Sequence, residues 1–302
     1  MKKYLGIMGL LLVTIIWGGG FVATDLALTS ATPFQIMAIR FFIAAAAMTL
    51  LAWRQIRSIT KEELKSGIIL GFFLFSGFAL QTVALQYTTP SKNAFLTATN
   101  VVFVPLIALV LYKKKVRFQS AIGVVMAIAG AGILSLGKDF SLGLGDGLTL
   151  LCAVCFAFQI FLTGEYVGRI RPLVLNFLQM TTAFVFSLIG LTVTGGLSFS
   201  LSRSSILGVL YLGIVSTTIS FLLQTVSQKY VDETKTSIIL SMEAVFGTIF
   251  SVILLHEQIT IRMICGSLLI LLAVLVSELK VSTGRQQSDI CGGNWVRKDE
   301  ES

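Results

Sequence analysis

Apolar residues fill the chain in runs of about 20 positions, separated by short stretches that hold Pro, Gly, Lys, Arg or Ser. A hydrocarbon core about 30 Å thick is crossed by about 20 helical residues. That ruler predicts ten spans, near residues 4–27, 33–53, 65–87, 91–112, 118–137, 146–168, 172–195, 204–228, 233–255 and 260–279. In lipid every backbone polar group must be satisfied within the protein, so such runs form helices. No run alternates with the period of two that a barrel strand needs. Short connections make consecutive helices antiparallel neighbours and leave no space for a soluble catalytic domain. The expected fold is therefore an all-α integral membrane protein.

The runs repeat. LQTVALQY at residues 80–87 recurs as LQTVSQKY at residues 223–230. The same displacement of 143 residues pairs Lys92 with Lys235, Phe103 with Phe246, Leu111 with Leu254 and Gly123 with Gly266. Earlier in each half the register slips slightly, pairing Pro33 with Pro172 and Gly9 with Gly147. This divides the chain into two five-helix units, residues 1–140 and 141–280, and a polar tail, 281–302, expected to be a disordered cytoplasmic end. An odd number of spans per unit makes the second enter the membrane opposite to the first. Inverted repeats of this kind are the architecture of secondary transporters.

Composition agrees: 55% of residues are hydrophobic, 13% are charged, and the mean hydropathy is +0.88. The net charge of +8 does not indicate nucleic acid, because the basic residues sit in short loops between apolar runs. Lys2, Lys3, Arg54, Arg57, Lys61, Lys65, Lys113, Lys114, Lys115, Arg117, Arg169, Arg171, Lys229 and Lys235 share the side of the N-terminus, whereas Lys92, Lys138, Arg203 and Arg262 lie on the other. Lys113, Lys114, Lys115 and Arg117 close the fourth span, and the repeat places His256, Glu257, Gln258 and Thr260 at the matching end of the ninth. The positive-inside rule then puts both termini in the cytoplasm of a multi-pass protein of the cell membrane. Met1-Lys2-Lys3 opens a retained first span rather than a cleaved signal, since no small-x-small site follows. Cys152 and Cys155 fall inside an apolar run without further ligands, and His256 is the only histidine, which removes a multi-histidine metal site. No P-loop occurs, so ATP drive within the chain is excluded and no cofactor is expected.

Few polar residues lie deep in the spans. Glu243 is about ten residues into the ninth, where an ionised carboxylate costs about 2.5–3.5 kcal/mol. It is read as a proton or cationic-substrate site, or as a neutral group locking two helices. Its repeat mate in the fourth span is Asn100, which suits a substrate pocket or an interhelical hydrogen bond. Arg40, two turns into the second span, needs a carboxylate, helix carbonyls or water. Glu243 is the deep acid available to it, and capture of a substrate carboxylate is the alternative. Gln81 and Gln224 are repeat mates that could line a cavity or bond between helices. Gly18, Gly19 and Gly20 allow close helix approach or local unwinding, and Trp17 and Phe21 could form an aromatic wall. Asp25 and Glu165, near helix ends, read as solvated charges.

WGGGFVATDLAL at residues 17–28, PFQIMAIRFFIAA at residues 33–45 and the Leu254-Leu255-His256-Glu257 close of the ninth span together resemble the drug/metabolite transporter superfamily, in particular its EamA-type ten-helix permeases, over residues 5–280. The first half departs from the pattern, with Lys114 opposite Glu257 and Pro105 opposite Thr248. The resemblance implies a permease, often an exporter of amino acids or related metabolites, with no nucleotide-binding domain. The expected function is transport of a small organic metabolite, with a proton gradient or the substrate's own gradient as the driving force. The expected partners are the solute, the lipid bilayer and protons, with no nucleic acid and no indicated oligomeric state. An intramembrane enzyme and a non-transporting scaffold remain the alternatives.

Overall fold

In a computed structural model the described residues are 2–113, 118–135, 143–196 and 198–278. The predicted tail with Cys291, and Lys114, Lys115, Arg117 and Lys138, lie outside them. The helices are α1 (Lys2–Leu28), α2 (Pro33–Ile56), α3 (Lys61–Ala84), α4 (Pro90–Thr97), α5 (Asn100–Tyr112), α6 (Phe118–Ser135), α7 (Leu144–Tyr166) and α8 (Pro172–Val193). Then come α9 (Arg203–Leu210), a π-helical segment (Tyr211–Ile219), α10 (Ser220–Ser227), α11 (Glu233–Ser241), α12 (Glu243–Leu255) and α13 (Ile261–Glu278). Among the described residues eight stretches are long and apolar enough to cross a membrane, counting α4–α5, α9–α10 and α11–α12 as one each. The 18-residue helices α6 and α13 occupy the places of the fifth and tenth.

The starts follow from local chemistry. Thr32 and Thr60 close capping boxes with Gln35 and Glu63, while Thr89, Ser202 and Asp232 cap α4, α9 and α11. Pro33, Pro90 and Pro172 sit in first turns, where a missing N–H costs nothing.

The fourth and ninth spans, predicted as single helices, are each interrupted near the middle, at matching positions. Thr99 Oγ1 donates to Leu96 O and Ser241 Oγ to Ile238 O, both at 2.6 Å, and the backbone tightens into i→i−3 bonds from Val102 to Thr99 and from Val245 to Met242. Asn100 and Glu243 are the first residues after the two breaks. Both spans also end alike. Lys113 (φ 53°) and His256 (φ 54°), repeat mates, are the non-glycine residues of positive φ among those described, and their N–H groups return to Ala108 O and Ser251 O.

Packing has the same symmetry. α1 against α12 is answered by α7 against α5, α3 against α7 by α10 against α1, and α1 against α11 by α7 against α4. α2 and α8 pack on each other across the pseudo-axis, as do α6 and α13.

The glycines after Trp17 do not unwind α1; they admit neighbours. A Cβ on Gly18 would come within 2.6 Å of Phe246 Cβ and 2.8 Å of Gly247 N, and one on Gly19 within 2.7 Å of the Tyr211 hydroxyl. Gly18→Ala is expected to separate α1 from α12 at a cost of about 1–3 kcal/mol. A lowered thermal midpoint of the detergent-solubilised protein checks this, and an unchanged midpoint contradicts the close crossing.

At the face carrying Lys2, the Arg171 guanidinium grips Glu63 in a fork (Nε to Oε1 2.8 Å, Nη2 to Oε2 2.9 Å) and also reaches Ser58, tying α8 to α3. At the opposite face Lys92 Nζ lies 2.6 Å from Asp146 Oδ2, and Glu257 accepts from the backbone and hydroxyl of Ser91 and from the Ser251 hydroxyl. Asp25, read as a solvated charge, is half-buried there.

Candidate functional site

Between α1, α2, α3, α5, α7, α12 and the eighth span lies a cavity of about 480 Å³, its mouth included. Its space lies toward the face opposite Lys2. It is bounded by the C-terminal half of α1 (Trp17, Gly20, Phe21, Thr24), the first turns of α2 (Arg40), the last turns of α3 (Phe78, Gln81) and the first half of the eighth span (Leu212, Ser216). Toward the Lys2 face the bundle is filled instead by a core of Leu10, Val13, Val104, Ile107, Phe161, Val231 and Leu240.

The residues singled out from sequence converge here with one exception. Glu243, Asn100, Arg40, Gln81 and Trp17 all line the cavity. Gln224 does not: it is fully buried behind Gln159, donating Nε2 to Gln159 Oε1 at 3.4 Å. The cavity occupies one half of the bundle, and Gln224 lies in the filled half.

Asn100 and Glu243 enter because the two breaks end there, so the N-termini of α5 and α12 both start at the cavity wall. The positive end of a helix favours anionic groups. Asn100 Oδ1 is buried without a partner among the described residues, and the ion pairs seen among those residues do not include Glu243. Gln81 Nε2 donates to Thr97 Oγ1 at 3.2 Å, which fixes its amide against α4.

Arg40 departs from the expected pairing. It is 1% exposed, yet the described residues give it no carboxylate. Nε and Nη2 donate to Thr217 Oγ1 at 3.1 and 2.9 Å, and the guanidinium carbon lies 3.9 Å from the centre of the Phe78 ring. Glu243 is thus not its counter-ion: the π-helical segment and an aromatic face hold it first, leaving Nη1 with no hydrogen bond to a described residue. Trp17 donates Nε1 to Ser216 O at 2.9 Å and tilts against Phe221, with ring centres 5.1 Å apart.

Sequence reading missed two contributors. The π-helical segment supplies both Thr217 and the Ser216 carbonyl, and Thr218 and Ser220 hydroxyls bond carbonyls five residues back, to Gly213 and Val215. The only sequence signal is the hydroxyl run Ser216-Thr217-Thr218 in an apolar span. Gln159, a lone amide in the apolar α7, lines the cavity floor and bonds Thr163, Gln179 and Gln224. Its depth matched that of the other candidates and marked it equally well.

Chemically the cavity offers one cation, one carboxyl, three amides and an aromatic wall of Trp17, Phe21, Phe78, Phe156 and Phe221. A largely apolar lining with a few polar groups is the usual make-up of a small-molecule pocket.

The comparisons with known proteins agree with each other. The model of the EamA-like transporter family matches twice, over residues 4–136 and 143–279. An uncharacterized transporter of Archaeoglobus fulgidus is 34% identical over 283 residues, covering 93% of this chain and 88% of the relative. The uncharacterized transporter YoaV of Bacillus subtilis is 26% identical over 286 residues, covering 91% and 97%. A crystal structure of another protein superposes with a TM-score of 0.68 at 19% identity, covering 92% of this chain and 97% of the other, which shows a shared fold. Two tandem matches on an all-helical membrane architecture with duplicated halves leave one assignment: the chain belongs to the EamA-like transporter family and is a transporter, not an enzyme.

Proposed function

We propose that the protein is a secondary permease that exports a small amphiphilic metabolite, an amino acid or related compound, by alternating access coupled to protons. The observation that carries this reading is a cavity at the pseudo-symmetric centre holding Arg40 and Glu243, neither of which neutralises the other. A buried cation without an acid is costly, and a substrate carboxylate taking the remaining guanidinium donors offsets that cost. A substrate ammonium, or a proton in its absence, does the same at Glu243. The aromatic wall suits the apolar body of such a solute.

Residues 1–140 and 141–280 are the two moving units, and the Lys2 face is the cytoplasmic one in the cell membrane. The charge bias of the loops supports that orientation. Export follows from the resemblance to metabolite exporters. Lipid surrounds the bundle, and the solute and protons are the only other partners this reading needs.

Flux into and out of proteoliposomes, measured with labelled cationic, neutral, aromatic and anionic amino acids with and without a pH gradient, tests it. Saturable flux of a zwitterionic solute that rises with the gradient is expected. Zero flux across the panel contradicts the substrate class proposed.

A further inference from the structure

Beneath the cavity, in the filled half of the bundle, side-chain amides form a chain between helices. Gln224 Nε2 donates to Gln159 Oε1 at 3.4 Å, and Gln159 Nε2 donates to Gln179 Oε1 at 3.4 Å and to Thr163 Oγ1 at 3.1 Å. Gln179 Nε2 donates to Asn176 Oδ1 at 2.7 Å, and Asn176 Nδ2 reaches Pro172 O in the first turn of α8 at 3.0 Å. All four amides are at most 1% exposed. The chain therefore leads from the cavity floor, at Gln159, to the end of α8 at the Lys2 face. Beside it Gln228 donates to Ile160 O at 3.0 Å. Two acceptors, Gln224 Oε1 and Gln228 Oε1, are buried with no partner among the described residues.

As structural glue this seam is poor. Hydrogen bonds between membrane helices contribute little net stability, two of these are at the long limit of the range, and an orphaned buried acceptor is a loss. Leu and Phe would pack the same space better. The repeat supplies the reason for amides. The register that pairs Pro33 with Pro172 pairs Arg40 with Gln179, and the register of 143 residues pairs Gln81 with Gln224. Arg40 and Gln81 line the open half, and their mates Gln179 and Gln224 are sealed in the closed half. An inverted pair of units that exchanges conformations exchanges these environments. A seam of hydrocarbon would then be bared to water on opening, whereas amides released from one another bond water or solute at once.

We infer that the seam between α7, α8 and α10 is the inner leg of the translocation path, closed by amides that bond one another and open, in the opposite conformation, to solutes bearing N–H donors. This rests on the alternating-access reading. Gln224 and Gln228 present the free acceptors that an ammonium or amide N–H takes as it leaves the cavity, and Gln179 and Asn176 mark the way to the Lys2 face.

Single cysteines test it in a full-length chain whose four native cysteines are replaced, with a membrane-impermeant cationic methanethiosulfonate applied from the Lys2 face of oriented proteoliposomes. Leu175, fully buried in the core of Leu70, Val167 and Ile170 and one turn nearer that face than Gln179, is the control. Gln179→Cys is expected to react at least about tenfold faster than Leu175→Cys, because opening of the seam and not depth sets its exposure. Asn176→Cys should behave like Gln179→Cys, which guards against one variant failing to fold. Modification at Gln179→Cys should also halt flux. Equal or faster reaction at Leu175→Cys overturns the proposal, and so does reaction of Gln179→Cys from the opposite face alone. Metabolite flux through the unmodified chain tests the permease reading separately: flux together with unreactive Gln179→Cys and Asn176→Cys overturns the seam and leaves the permease standing.

Discussion

Glu243→Gln is expected to abolish accumulation driven by a pH gradient, a loss of at least about tenfold, while solute exchange without a gradient persists at a lower apparent affinity, because the amide oxygen still accepts from the substrate ammonium but carries no charge. Glutamine keeps the size and hydrogen-bonding span of a protonated glutamic acid but cannot release a proton. The substitution therefore separates the carboxyl's chemistry from its packing. The side chain stands at the first turn of α12, on the cavity wall. None of the described ion pairs involves it, so the detergent-solubilised variant should retain its thermal midpoint. Asn100, at the matching position of the other half, carries no proton to exchange, so the proposed proton coupling rests on Glu243. Normal pH dependence in the variant would remove the proton-carrier role while leaving the permease.

Arg40→Met is expected to lower flux of a carboxylate-bearing solute about 10- to 150-fold, the worth of a charge-assisted hydrogen-bond pair of about 1.5–3 kcal/mol. The methyl amide of the same solute should be transported by the variant about as well as by the native chain. Methionine follows the path of the arginine stem and can rest on the Phe78 ring that the guanidinium now covers at 3.9 Å. Removing a buried cation that has no acidic partner among the described residues should not destabilise the bundle, so lost flux with an unchanged thermal midpoint is the expected combination. Arg40→Lys keeps the charge but not the fork, and should fall between the two. If the acid and its amide lose flux equally, Arg40 supports the eighth span through Thr217 and does not recognise a carboxylate.

Depth was legible in the sequence because apolar runs have a fixed length in lipid. Counting along a run put Arg40, Gln81, Asn100 and Glu243 well inside the bilayer. The repeat register then made Asn100 and Glu243 mates, and the structure finds both directly after matching helix breaks. The breaks themselves were not legible. Thr99 and Ser241 stand at them with their hydroxyls turned back on carbonyls three residues earlier, yet Thr14 makes the same bond to Leu11 O inside the unbroken α1, so the residue type does not announce a break. The π-helical segment was equally hidden, since its sequence is an ordinary apolar run with three adjacent Ser and Thr hydroxyls.

By itself the sequence determined the all-helical membrane fold and its two inverted halves, because hydrophobic length, odd span count and register are properties of a line. Only the tertiary structure decided which polar groups meet. Gln81 and Gln224 are repeat mates in the same local motif, yet one lines the cavity and the other closes the seam beneath it. Arg40 turned to Thr217 and Phe78 rather than to Glu243. The reason is physical: two inverted halves in one conformation are not equivalent. In this structure one side of the midplane is open and the other packed, and packing across helices, which no single run encodes, decides which.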